Sequence, residues 1–310
     1  MKIIDLHCDT ISLFLALKGG KLIANEGHFD LRRALQAGVG LQFFSLFSPP
    51  DDSGVVLRRV LKQLELFYKE MESNKDILYL VQNYKDIETN INKADKIGGV
   101  LHLEGAEALG LDIDILHLLY RLGLRSLGLT WNKRNFLADG VEEGEGDGGL
   151  SRWGRQVVKE ANKLGIIIDL SHIGEKSFYD VLEATDKPVM VTHANAYAVC
   201  PHRRNLKDVQ LKALSQNKGI VGITQVSDFV KEGKPEVDDL LFHIVYIADL
   251  IGCEYIALGS DFDGASDIVM SGIEDYANWE NLLRKKGFCP KEIEDILQNN
   301  ALRVMREILK

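Results

Sequence analysis

Eight short apolar runs rich in β-branched residues recur along the chain. They lie at Ile3–Asp9, Gly40–Phe47, Val100–Glu104, Ser126–Thr130, Ile166–Ser171, Val189–His193, Ile220–Gln225 and Ile256–Asp261. Between them are amphipathic stretches that begin with polar residues and often end at glycine. Ser151 to Leu164 is one, with Ser151 as N-cap and Gly165 just past the end. Asp238 to Leu250 is another, with acidic residues at the end where the helix dipole favours them. Strands apolar along nearly their whole length are covered on both faces, which implies a parallel sheet under helices. Eight such units predict an α/β protein with a closed (β/α)8 barrel, one catalytic domain over residues 1–310. No GxGxxG follows the first run, which weakens the open dinucleotide-binding alternative.

Composition narrows the class further. The chain has 310 residues, 45% of them hydrophobic, enough for a large core. A net charge of −9 argues against nucleic acid as partner, since phosphate binding needs surplus Lys and Arg. Cys8, Cys200, Cys253 and Cys289 are widely spaced and form no CxxC pair, which predicts free thiols in a reducing compartment. Charges at Lys2 and Asp5 stand where a signal peptide would be apolar. The most apolar helix-length stretch, Leu240 to Ile251, is broken by His243 and Asp249 and falls short of a membrane span. The expectation is a soluble, cytoplasmic protein with no membrane partner. A homodimer is the default assembly for such a chain.

Because barrel interiors are apolar, the polar residues at the C-terminal ends of the runs carry the functional signal. The first run ends His7-Cys8-Asp9, where residues two apart share a face, so His7 and Asp9 converge. Glu104 ends the third run, His172 follows the fifth, His193 ends the sixth and Asp261 ends the eighth. Each taken singly has a plain structural reading, such as a hydrogen-bonded core histidine or a buried acid paired with Arg. Three imidazoles and three carboxylates at one end of a barrel are costly without a cation. Nitrogen with carboxylate oxygen suits zinc, with Mn²⁺ and Fe²⁺ as related ions. Five ligands exceed one tetrahedral zinc, so two divalent ions bridged by Glu104 are expected, able to hold a bridging hydroxide. His102 shares parity with Glu104 and is expected in the core; His117 and His243 lie in helical stretches, His28 and His202 in loops. Ala138 to Gly149, rich in Gly and acidic residues, reads as a mobile loop on the same face, either a solvated surface loop or a lid.

The segments Asp5-Leu6-His7-Cys8-Asp9-Thr10, His28-Phe29-Asp30-Leu31, Leu103-Glu104-Gly105, Ile168-Asp169-Leu170-Ser171-His172 and Gly259-Ser260-Asp261-Phe262-Asp263-Gly264 resemble the membrane (renal-type) dipeptidase family. The likeness continues through Thr192-His193-Ala194-Asn195 and Arg203-Arg204-Asn205 to Asn300-Ala301-Leu302-Arg303-Val304, so it covers essentially the whole chain. The resemblance implies a binuclear zinc barrel that hydrolyses dipeptides. His7 and Asp9 would hold one metal, His172 and His193 the other, and Glu104 would bridge. Arg204 resembles the residue that receives the substrate's free carboxylate, a task suited to a planar guanidinium. Asp261 resembles the acid that moves a proton from the attacking water to the leaving amine. One position departs from the better-known members: Trp131 stands where they carry a histidine implied to stabilise the oxyanion. Losing one such donor costs about a hundredfold or more in rate, and either the Trp131 indole or the Asn132 amide could take its place. Eukaryotic members also carry a signal peptide and a lipid-anchor tail, and membrane association through them is not expected here.

Two rival readings remain open at this stage. One is hydrolysis of another small amide, such as an N-acyl amino acid or a lactam. The other is a metal-binding barrel without catalysis, which Trp131 alone favours. The stereochemistry accepted at the C-terminal residue of the substrate is left open as well.

Overall fold

The computed structural model describes residues 1–310. Its nine strands are β1 (Ile3–Cys8), β2 (Val39–Phe47), β3 (Leu78–Leu80), β4 (Ile97–Glu104), β5 (Leu124–Gly128), β6 (Ile167–Asp169), β7 (Met190–Val191), β8 (Ile220–Ile223) and β9 (Ile256–Leu258). All pairings between them are parallel. A direct β2–β4 pairing closes the ring β1-β2-β4-β5-β6-β7-β8-β9, which is the expected (β/α)8 barrel.

Each of the eight apolar runs overlaps one barrel strand, with β2, β4 and β5 beginning before their runs. The ninth strand, β3, is an addition that the pattern does not reveal. It pairs only with the start of β4, from Leu78↔Ile97 to Leu80↔Gly99, below the point where β5 takes the same edge at Leu101. Three residues are too few to establish an alternation.

The helices form where capping and apolar spacing agree. Helix Arg152–Leu164 is capped by the Ser151 side chain accepting from Gly154 N–H, and ends at Gly165 in the left-handed conformation. Helix Val237–Ile251 buries Leu240, Leu241, Ile244 and Ile247 against the barrel. A cluster of 17 buried residues joins Ile4, Leu6, Leu41, Phe43 and Ile220 to Ala301, Val304, Met305 and Ile308 of helix Asn300–Ile308. That helix therefore covers the N-terminal side of the strands, and the opposite mouth is left to the loops.

Those loops are tied together. The stretch read as a mobile loop is hydrogen-bonded along its length. Val141 N–H donates to His172 O at 2.8 Å and Glu142 N–H to Asn132 O at 2.8 Å. Asp139 pairs with Arg134, while the Asp147 carboxylate accepts from Lys176 N–H at 2.7 Å and Ser177 Oγ at 3.0 Å. Its acidic residues thus cap a helix and anchor a turn, and the segment braces the ends of β5 and β6.

Candidate metal centre

The barrel brings His7, Asp9, Glu104, His172, His193 and Asp261 together at the C-terminal ends of five strands. His7 is fully buried, with Nε2 3.3 Å from Asp9 Oδ2, 3.4 Å from Glu104 Oε2 and 3.8 Å from Asp261 Oδ1. On the other side, His172 Nε2 is 2.9 Å and His193 Nε2 4.0 Å from Glu104 Oε1. The two oxygens of Glu104 thus face two different groups of side chains. Two sets, His7–Glu104–His193 and His7–Asp9–Asp261, have ligand atoms within 4.8 Å of one another.

Local backbone features aim these groups. The β1 register shifts between Asp5 and Cys8, a bulge of the kind that re-aims side chains beside active sites. Asp9 occupies the N-cap of helix Thr10–Leu17 but bonds none of its N–H groups; its carboxylate turns inward instead. His172 and Asp261 have φ of 63° each, a left-handed conformation that costs a non-glycine residue about 1 kcal/mol or more. Gly264 lies against the Asp261 and Asp9 carboxylates, where any Cβ would collide with both.

The residues fit a cationic group. His172 Nδ1 faces Asn132 Oδ1 at 2.7 Å, an acceptor, so Nδ1 carries the proton. His193 Nδ1 faces Thr192 Oγ1 at 2.9 Å, and that hydroxyl donates to Asp169 Oδ2 at 2.8 Å. Both Nε2 atoms therefore present lone pairs, yet they lie 2.8 Å apart. Lone pairs that close repel unless one cation binds both. Asp9 Oδ1 is buried with no hydrogen-bond partner, a further acceptor lacking positive charge.

Electrostatics agree. Burial, with Arg204 nearby, lowers His172 to about 4, and burial with the charge of His7 holds His193 well below the usual range. Both shifts favour the neutral imidazole, the form that binds metal. His7 is raised despite burial, because Glu104 and Asp9 flank it, and Glu104 is held low despite burial by His7 and His172. Burial, with Asp9 and Glu104 reinforcing it against His7 and Arg204, pushes Asp261 up to about 7.

Arg204 is buried at 6% exposure and forms no ion pair. Its Nη2 donates to His193 O at 3.4 Å, its Nε has no partner, and its guanidinium lies 5.4 Å from the Phe229 ring. Trp131 leans on Phe47, centroids 5.4 Å apart, and on the His172 ring at 6.0 Å. Asp9, Glu104, His172, Asp261, Arg204, Trp131 and Phe47 line a cleft of about 510 Å³.

The remaining histidines behave as expected. His102 is a core residue bonded to Ser126 Oγ at 2.9 Å, and His243 donates to Val230 O at 2.8 Å. His117 meets Glu160 at 3.2 Å on the surface, and His28 and His202 sit in loops. Two supporting groups were not singled out from the sequence. Ser45 donates to Glu104 Oε2 at 2.8 Å, and Asp169 holds Thr192 behind His193. A serine within the apolar Gly40–Phe47 run was the available signal for the first.

A parallel eight-stranded barrel that gathers imidazoles and carboxylates at its C-terminal mouth defines a barrel of the metallohydrolase type. The model of the membrane dipeptidase family (peptidase family M19) matches residues 1–310, and the chain belongs to that family. Dipeptidase tcpJ of Claviceps purpurea (strain 20.1) is 32% identical over 297 residues, covering 91% of this chain and 69% of that protein. Dipeptidase aclJ of Aspergillus oryzae is 31% identical over 297 residues, covering 91% and 70%. The crystal structure of a metallo peptidase from Rhodobacter sphaeroides, liganded with a phosphinate mimic of the dipeptide L-Ala-D-Ala, has a TM-score of 0.92 at 27% identity over 99% of both chains. The structure of dipeptidase AC, a metallo peptidase of family M19, has a TM-score of 0.92 at 28% identity, covering 100% of this chain and 99% of that one.

Proposed function

We propose that this chain is a dipeptidase carrying two divalent metal ions, zinc by preference, and acting as one catalytic domain over residues 1–310. His7 and Asp9 would hold one ion, His172 and His193 the other, with Glu104 shared. The observation that carries this reading is the division of the Glu104 oxygens, Oε2 toward His7 at 3.4 Å and Oε1 toward His172 at 2.9 Å. Three imidazoles with carboxylates suit zinc in particular. When bound, the ions supply Lewis acidity and ease deprotonation of water near neutral pH.

The side chains supply the rest. Arg204, a buried guanidinium without a counter-ion, receives the α-carboxylate of the substrate and sets its distance from the centre. A carboxylate required one residue beyond the scissile bond favours dipeptides over longer peptides. Asp261, beside His7 and raised by burial, takes the proton of the attacking water and returns it to the leaving nitrogen. Trp131 and Phe47 wall the cleft and exclude bulk water. The mimic of L-Ala-D-Ala held by the Rhodobacter sphaeroides relative supports acceptance of a C-terminal D-residue here too. Four unpaired thiols fit a reducing compartment, and the cytoplasm is the proposed location, with a homodimer as the proposed assembly.

The test is amino-acid release from L,L- and L,D-dipeptides by protein stripped of metal and reloaded with zinc. Zinc-dependent release is the expected result. No release with two zinc ions bound would overturn the reaction and leave the barrel standing.

A further inference from the structure

The cleft has two chemically different ends. Arg204 lies beside the end of β7, where it reaches His193 O. In the ring of eight strands, β7 stands diametrically opposite β2. A dipeptide anchored on Arg204 and crossing the centre therefore turns its N-terminal residue toward the end of β2. The cleft wall there includes Phe47 at the end of β2 and Pro49 beyond it, Leu13 and Ala16 of helix Thr10–Leu17, and Trp131 beside Phe47.

The polar groups at this end are already consumed. Ser12 Oγ donates to Gln63 Oε1 at 3.0 Å and accepts from Phe47 N–H at 3.1 Å, while Gln63 Nε2 donates to Phe47 O. Arg59, half-exposed at the rim, is already paired with Asp51 Oδ2 at 3.0 Å. Phe47 and Trp131 rings meet at 5.4 Å and 50°, forming a continuous aromatic wall. A charged side chain entering here loses water and gains no partner, whereas an apolar one buries its surface.

We propose that this end is an apolar subsite for the side chain of the N-terminal residue, which makes the enzyme selective for dipeptides beginning with Leu, Met or Phe. The inference rests on the dipeptidase reading and names its substrate class. Full burial of such a side chain corresponds to roughly a tenfold to hundredfold gain in kcat/KM over glycine at the same position. Lys, nearly isosteric with Met, should fall below Met by a similar factor.

The experiment compares kcat/KM of the zinc-loaded protein for Gly-Ala, Leu-Ala, Met-Ala, Phe-Ala, Lys-Ala and Glu-Ala. The expected order places Leu, Met and Phe above Gly, and Gly above Lys and Glu. The variant Leu13→Glu adds an anion to the wall and should raise the Lys-Ala to Met-Ala ratio at least tenfold. Equal rates across the panel, preference for Lys-Ala or Glu-Ala, or an unchanged ratio in Leu13→Glu would each overturn the subsite while leaving the dipeptidase reading intact. No release from any member would instead overturn that reading, and the subsite with it.

Discussion

His172 and His193 face each other through their Nε2 atoms at 2.8 Å, each with its Nδ1 proton already committed, one to Asn132 and one to Thr192. The pair is preorganised by neighbours that contribute nothing to the cleft's charge. Outer partners of this kind fix tautomer and ring orientation, and their loss weakens metal binding.

Asn132→Leu removes the acceptor at His172 Nδ1. Zinc affinity at the His172–His193 position should fall roughly tenfold to hundredfold, read by competition with a chromophoric chelator. Affinity equal to wild type would show that the Asn132 contact does not orient the ring.

Asp261→Asn keeps the size of the side chain and removes its capacity to accept a proton. Turnover should drop by about 10² to 10⁴ while zinc content, measured by elemental analysis, stays near wild type. Retained turnover would remove Asp261 from proton transfer.

Arg204→Met replaces a buried cation that has no ionic partner by an apolar chain of similar reach. We expect kcat/KM to fall at least about a hundredfold while the thermal midpoint of the ligand-free protein rises, because a buried cation without a direct ion-pair partner is gone. A lower midpoint with unchanged KM would assign Arg204 a structural role.

His102 provides a pH test. Burial lowers its pKa from 6.5 to about 4, partly offset by Asp169. The folded state therefore holds the ring neutral while the unfolded chain binds a proton below 6.5. Its contribution is fully present above 6.5 and is lost as pH falls toward 4, reaching about 3 kcal/mol for a shift of this size. Denaturant unfolding of metal-free protein between pH 4.5 and 7.5 should show this slope, and His102→Gln should flatten it. Parallel curves for the two proteins would contradict the assignment.

Much of this was legible in the sequence because strand and helix periods are local signals, and eight of nine strands announce themselves as apolar runs. The metal-centre candidates were legible because polar residues stand out at the ends of such runs. Strand β3 was not, being three residues paired to an edge that only the folded sheet creates. The anchoring of the 138–149 stretch was hidden as well. Its acidic residues look like a solvated loop until the helix beginning at Glu175 arrives beside Asp147. Asn132 and Ser45 support His172 and Glu104 through contacts between segments, and Thr192 beside His193 is itself held by Asp169 of another strand, which no spacing along one segment can encode.

In its proposed role as receptor of the substrate's α-carboxylate, the buried guanidinium of Arg204 has a kinetic consequence. A group that recognises an α-carboxylate recognises it equally well before and after the amide bond is broken. The amino acid released from the C-terminal side keeps that carboxylate and is left seated in the cleft it has just been cut from. With Arg204 in that proposed role, occupancy by product and the rate at which it leaves become part of the catalytic cycle, and free amino acids in the surroundings set how often the site stands ready.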